Sequence, residues 1–290
     1  TGNSAVALAL VAACLAVMGA WRRGAFRGRH VHRWMVAAAF LSCGGAVSNA
    51  SAADLQILRP LGFGRGGYTV QTTDTLWQWN PAVGLVYSFL HQPLVAKPTV
   101  AGADEVEAVK YAQMIEFQAG VGILDGLEID LQLPLHVDRS ADEAFRKELE
   151  VTGVGDLYLG VKYQPLRRQK KSVGITLTPF LLFGTGSPGK MAGSGNQNFG
   201  LNVAIDTEIS IVSVAANLGA TRRVDAGFLK EHFGRTLESS FDYGVLVMVK
   251  FMKRGGYAFV EGTGLVELKS NPSNLFQMNL GIRVDRKSTV

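Results

Sequence analysis

At 290 residues the chain can form one large domain or two small ones, and its 18% of charged residues is low for a soluble globular protein. It has 34 Gly against 9 Pro with no three-residue period, which excludes a collagen-like chain or a disordered Pro/Gly tract and suits a β protein rich in turns. The net charge of +5 is weighted to the N-terminus by Arg22, Arg23, Arg27, Arg29 and Arg33. Elsewhere no basic face with interleaved aromatics occurs, so nucleic acid is not an expected partner. Both cysteines, Cys14 and Cys43, sit in apolar N-terminal stretches, leaving the body without a disulfide framework, zinc knuckle or Cys nucleophile.

Residues 1–52 read as an upstream segment plus a secretory signal peptide. The basic stretch Arg22 to Arg33 runs into the short apolar core Trp34 to Cys43, followed by small residues and the triplet Ala50-Ser51-Ala52. Basic region, short core and A-x-A site are the three parts of such a leader, with cleavage expected after Ala52. The core is too short to span a bilayer comfortably. A second apolar run, Ala5 to Trp21, lies upstream; it is either a marginal spanning segment or the product of a start site that belongs at Met18. Residues 53–80 are expected to be a periplasmic lead-in.

From about residue 82 the hydrophobic pattern has period two. Expected strands run over about 82–92, 108–123 and 127–136, the last being the clearest. There Leu127, Ile129, Leu131, Leu133 and Leu135 face one way, and Glu128, Asp130 and Gln132 the other. A helix would scatter those charges around its circumference. Further strands follow at 157–164, 172–184, 199–209, 211–222, 241–251, 256–268 and 276–284. Ten strands of about ten residues or more exceed the usual five or six and match the nine to eleven that a tilted membrane-crossing strand needs.

Connections alternate between short (Leu124-Asp125-Gly126, 165–171, near Ser210, 252–255) and long (about 93–107, 137–153, 185–198 and 223–238). Outer-membrane barrels alternate in this way because their periplasmic turns are short and their extracellular loops long. The expected fold is all-β: an antiparallel up-and-down transmembrane β-barrel of about 10–12 strands over residues 81–285, with a tail at 286–290. Its polar face gives the expected lumen-lining set: Glu116, Glu128, Asp130, Gln132, Asp156, Lys162, Asp206, Glu208, Asp242, Lys250, Glu261 and Arg283. Opposite charges in a narrow lumen should pair with one another. Trp77, Trp79, Tyr163, Phe183 and Tyr257 are expected at the membrane interfaces.

The search for catalytic chemistry returns nothing. Gly184-Thr-Gly-Ser-Pro-Gly189 has the glycines of a phosphate loop but leads into a strand rather than a helix. His91, His136 and His232 lack metal-ligand spacing, and no nucleophile elbow is present. The acids of loop 137–153 (Asp138, Asp142, Glu143, Glu148, Glu150) read as a solvated loop, with Arg139, Arg146 and Lys147 beside them. The expectation is a protein that is not an enzyme and has no cofactor and no metal.

Phe89-Leu-His-Gln-Pro-Leu-Val95, Gly120 to Leu135, Gly153 to Lys162 and Thr176 to Gly189 together resemble the N-terminal barrel of OmpA-family and transporter-like outer-membrane proteins. They share some character with the phenol-degradation meta-pathway outer-membrane family. The resemblance implies a Gram-negative outer-membrane location, contact with lipid and lipopolysaccharide, and about twelve strands, often followed by a peptidoglycan-binding domain. The sequence departs from that pattern at Arg286 to Val290, where neither that domain nor a terminal aromatic follows, and the expectation is a piece of a longer chain. The expected function is a narrow or plugged channel or transporter for small solutes. The alternatives are a structural envelope anchor of OmpA type and a loop-mediated binding or adhesion module.

Overall fold

The computed structural model describes residues 66–96, 106–141, 152–168, 172–186, 193, 196–223, 239–252, 256–268 and 274–284, all within the unit Ala50–Val290. The expected leader, the upstream apolar run, residues 53–65, His232, most of the acidic loop and the expected tail lie outside the described residues.

Among the described residues eleven strands form one sheet: β1 Pro81–Ala96, β2 Val106–Leu124, β3 Leu127–Ala141, β4 Gly153–Val154, β5 Leu157–Leu166, β6 Val173–Phe183, β7 Asn198–Ile209, β8 Val212–Arg222, β9 Ser240–Met252, β10 Gly256–Glu267 and β11 Asn274–Val284. Each long strand pairs antiparallel with the next in the order β1-β2-β3-β5-β6-β7-β8-β9-β10-β11, an up-and-down meander, while β4 makes a two-residue pairing on β3. Alternation in the sequence locates all ten long strands. The short β4 has no such signal, because two residues carry no period. Among the described residues no ladder joins β1 to β11, so the sheet is curled but open between its first and last strands, where the sequence reading expects closure.

Turn chemistry fixes the short end of the barrel. Gly126 has a φ of +83° in the two-residue connection between β2 and β3, a conformation glycine adopts without steric cost. Ser210 (φ 59°) turns β7 into β8, and Ser172 (φ 63°) leads into β6. Pro179, within β6, lacks an N–H, and the β5–β6 ladder skips from Gly160↔Phe180 to Tyr163↔Leu177 around it. β1, β2 and β3 are the tallest strands at 16, 19 and 15 residues, well beyond the nine to eleven needed to cross a bilayer, and they project past the others on the long-loop side.

Burial is inverted relative to a soluble protein. In β3, Glu128, Asp130, Gln132 and His136 are buried, whereas Leu127, Ile129, Leu131, Leu133 and Leu135 are only half-buried and Val137 is exposed. In β7 and β8, Phe199, Leu201, Ile205 and Leu218 are exposed while Asp206, Asn217 and Thr221 are buried. In β11, Leu280 keeps 81% of its surface exposed. Water makes an exposed apolar row costly at about 25 cal/mol per Å². A sheet that turns its polar side inward and its apolar side outward is at home in lipid, which offers no hydrogen bonds. No helix among the described residues is long and apolar enough to cross a membrane.

Candidate functional site

The inner face is occupied by the chain itself. Residues 66–71 form a tight turn closed by the Gly66↔Gln71 bridge and a bond from Gly67 N to Val70 O (2.9 Å). From there the backbone runs along the inner face toward the short-turn end. At that end Gln78 pairs with Gly122, Trp79 N donates to Gly122 O (2.6 Å), and the chain enters β1.

Carboxylates of the wall hold this segment by its backbone. Glu261 of β10 accepts from Thr69 N (2.9 Å), Thr69 Oγ1 (3.0 Å) and Val70 N (3.0 Å), and from Asn279 Nδ2 of β11 (2.7 Å). Asp206 of β7 accepts from Thr73 N (3.0 Å) and Thr73 Oγ1 (2.7 Å). Glu128 of β3 accepts from Leu76 N. Between these anchors, Asn217 of β8 both accepts from Gln71 N (2.8 Å) and donates to Gln71 O (2.9 Å), and Gln71 Nε2 donates to Asn202 Oδ1 (2.7 Å). Gln164 Nε2 reaches Thr73 O (2.6 Å) and Lys162 Nζ reaches Asp74 O (2.6 Å), both from β5. At the upper end Tyr68 Oη meets Ser88 Oγ of β1 (2.5 Å). Bonds to charged acceptors are worth about 1.5–3 kcal/mol each, and the wall groups they satisfy would otherwise be buried without partners.

One apolar contact sets the register. Val70 packs against Ala215, Leu246 and Met248, with Phe259 beside them. Close approach is permitted by glycines: a Cβ on Gly122 would run into the carbonyl oxygens of Leu76 and Trp77, and one on Gly174 into Thr73 and the Asp206 carboxylate. Burial pushes the Tyr68 phenol above its ordinary 10.0; the Ser88 bond opposes this, and the charges of Glu116 and Glu261 add to it.

Of the residues expected to line the lumen, Glu116, Glu128, Asp130, Gln132, Asp156, Lys162, Asp206 and Glu261 are buried. Asp242 and Lys250 are half-buried, and Asp242 accepts from Thr221 Oγ1 (3.1 Å). Glu208 lies at the exposed rim, 3.3 Å from Arg168. Arg283 pairs through its backbone with Tyr257, and its side chain lies outside the described residues. Tyr257, expected at an interface, is instead buried, because it shares the inward parity of Glu261 and Thr263 on β10.

Two features escape the sequence pattern. Four wall charges, Glu128, Lys162, Asp206 and Glu261, bond the segment 69–76, expected there to be a periplasmic lead-in. Its only charge is Asp74, and a charge-poor run of Thr and Gln gives no periodic signal. Arg168, read as part of a basic turn, is a second anchor: it meets Asp206 at 2.8 Å, Asp74 at 3.0 Å and Glu208 at 3.3 Å. Four positive charges at 167–171 were the available hint.

Above the turn, on the long-loop side, a cavity of about 110 Å³, partly open to solvent, has Thr69 and Val70 as its floor. Its walls include Tyr158 stacked on Phe180 (centroids 5.3 Å apart), with Thr221 of β8, Arg223 just beyond that strand and Asp242 of β9.

The sheet is similar to that in the crystal structure of an outer membrane channel from Pseudomonas putida F1, with a TM-score of 0.51 and 16% identity over 70% of this chain and 77% of that one. The fold is therefore a nearly all-β, antiparallel, up-and-down sheet that forms a half-barrel, matching the architecture of that channel. No family model and no curated protein matches the chain. The OmpA-type resemblance gains nothing specific from this likeness, which extends only to shared architecture.

Proposed function

We propose that the chain is a narrow outer-membrane channel for small solutes, closed in this conformation by its own residues 66–76. The observation that carries this reading is the set of backbone bonds from Thr69, Val70, Thr73 and Leu76 to carboxylates of three different strands across the interior. A merely structural barrel can fill its interior with side chains of its own wall, as eight-stranded barrels do. Here the filling is a detachable stretch of chain, joined to the wall by hydrogen bonds and one small apolar contact. A vestibule stands open on the long-loop side of it. The apolar outer face accounts for lipid as the surrounding partner, and lipopolysaccharide is the corresponding partner of the outer leaflet.

Planar-bilayer recording tests this. The intact protein should stay closed or flicker briefly. Val70→Asp places a carboxylate among Leu246, Met248 and Ala215 and next to Glu261, so it should release the segment and give frequent openings. Steady nanosiemens openings of the intact protein, or an unchanged record for the variant, would contradict the proposal.

A further inference from the structure

The bonds that hold the segment also describe what the empty interior would recognise. Among the described residues, six carboxylates are buried (Glu116, Glu128, Asp130, Asp156, Asp206, Glu261) against two buried cations, Lys162 and Arg168. Three of the six have a backbone N–H of the segment as a donor, and Glu261 has two. The acidic wall is also incompletely satisfied with the segment in place: Glu128 Oε1 and Asp130 Oδ1 are buried and have no hydrogen-bond partner. The segment brings no cation of its own, its single charge being Asp74. The acceptors are spaced to match it. Glu261 serves residues 69 and 70, Asp206 serves 73 and Glu128 serves 76, and three residues of chain span at most about 10–11 Å. Withdrawal of the segment would strip a descending series of carboxylates of their segment donors, leaving Asn279 Nδ2 on Glu261 and Arg168 Nη1 on Asp206, with the remaining acceptor positions open to water and mobile cations. Like charges lining a low-dielectric passage concentrate counter-ions and repel co-ions.

We infer that the opened lumen is cation-selective and takes small amine- or guanidinium-bearing solutes, with Glu261, Asp206 and Glu128 as the successive carboxylates that receive them. This rests on the channel reading above. The geometry already shows the wall accepting from a guanidinium, at Arg168 Nη1 on Asp206 (2.8 Å).

The test is the reversal potential in a KCl gradient, measured with the full chain carrying Val70→Asp, and in parallel with Gly122→Leu, which displaces the segment from the opposite end. The expected permeability ratio of K⁺ to Cl⁻ is about 5 or more, falling to within about twofold of unity when Glu128→Gln, Asp206→Asn and Glu261→Gln are added. Agmatine on the long-loop side should interrupt the current and glucose should not. Openings with a ratio near or below unity, or a ratio unmoved by the three neutralisations, would overturn the selectivity while leaving the channel intact. A heat-modifiable, correctly inserted barrel that never opens in either release variant would overturn the channel reading and the selectivity with it.

Discussion

Glu261 concentrates the segment's attachment in one side chain, because a carboxylate can accept from several donors at once and here accepts from four. Glu261→Leu would strand the N–H groups of Thr69 and Val70 in a buried site. It should loosen residues 66–71 by about 2–4 kcal/mol, read as faster amide exchange there with β10 still protected. Glu261→Gln keeps an acceptor and should loosen them less. Tyr68 supplies a pH dependence whose sign follows from its raised pKa. The docked phenol holds its proton above 10.0 while a released one loses it, so docking is undiminished below pH 10 and weakens as the pH rises beyond it. Tyr68→Phe should abolish that component of segment release in an alkaline titration followed by amide exchange or current. If the alkaline step persists unchanged in Tyr68→Phe, Tyr68 is not its source.

At the scale of elements, the long strands were legible because each repeats a binary choice five or six times, and a one-residue slip would reverse every side chain. β3 is the clearest instance, with Glu128, Asp130 and Gln132 inward and Ile129, Leu131 and Leu133 outward. The segment 66–76 was not legible for the complementary reason. It has no partner strand and no repeated choice, and its place is set by single residues on six or more other elements. The outward face makes its own prediction. Leu201 is the fourth residue of the twelve in β7, exposed and paired between Pro179 and Ala220. Leu201→Arg should cost about 1–3 kcal/mol in denaturant unfolding from lipid vesicles, between the cost of a cation on the lipid face at the midplane and at the interface. Asn202→Arg, one residue along and inward, should spare the barrel and disturb Gln71 instead. Equal effects at the two positions would mean that the face assignment is wrong.

For the whole molecule, the segment is the evidence of curvature. Between Tyr68 and Leu76 it meets β1 at Ser88, β3 at Glu128, β5 at Gln164, β7 at Asp206, β8 at Asn217, β9 at Leu246 and β10 at Glu261. One short stretch of chain can touch so many strands only if the sheet bends most of the way around it. The polar interior therefore has two components, a wall that is mostly acidic and a filling that supplies donors, and neither is fully satisfied alone. The sequence makes the wall visible and hides the filling, which is why paired wall charges were the natural expectation. A cysteine cross-link tests the docked segment most directly. Val70 and Gly244 face each other so closely that a Cβ at position 244 would come within 2.7 Å of Val70 Cγ2, which puts cysteines at the two positions within reach of one another. With Cys14 and Cys43 replaced by Ser, oxidised Val70→Cys/Gly244→Cys protein in lipid should lose both reactive thiols and two mass units and should stay closed in bilayers until reduced. If both thiols remain open to a maleimide in the folded barrel, residues 66–76 do not occupy the lumen.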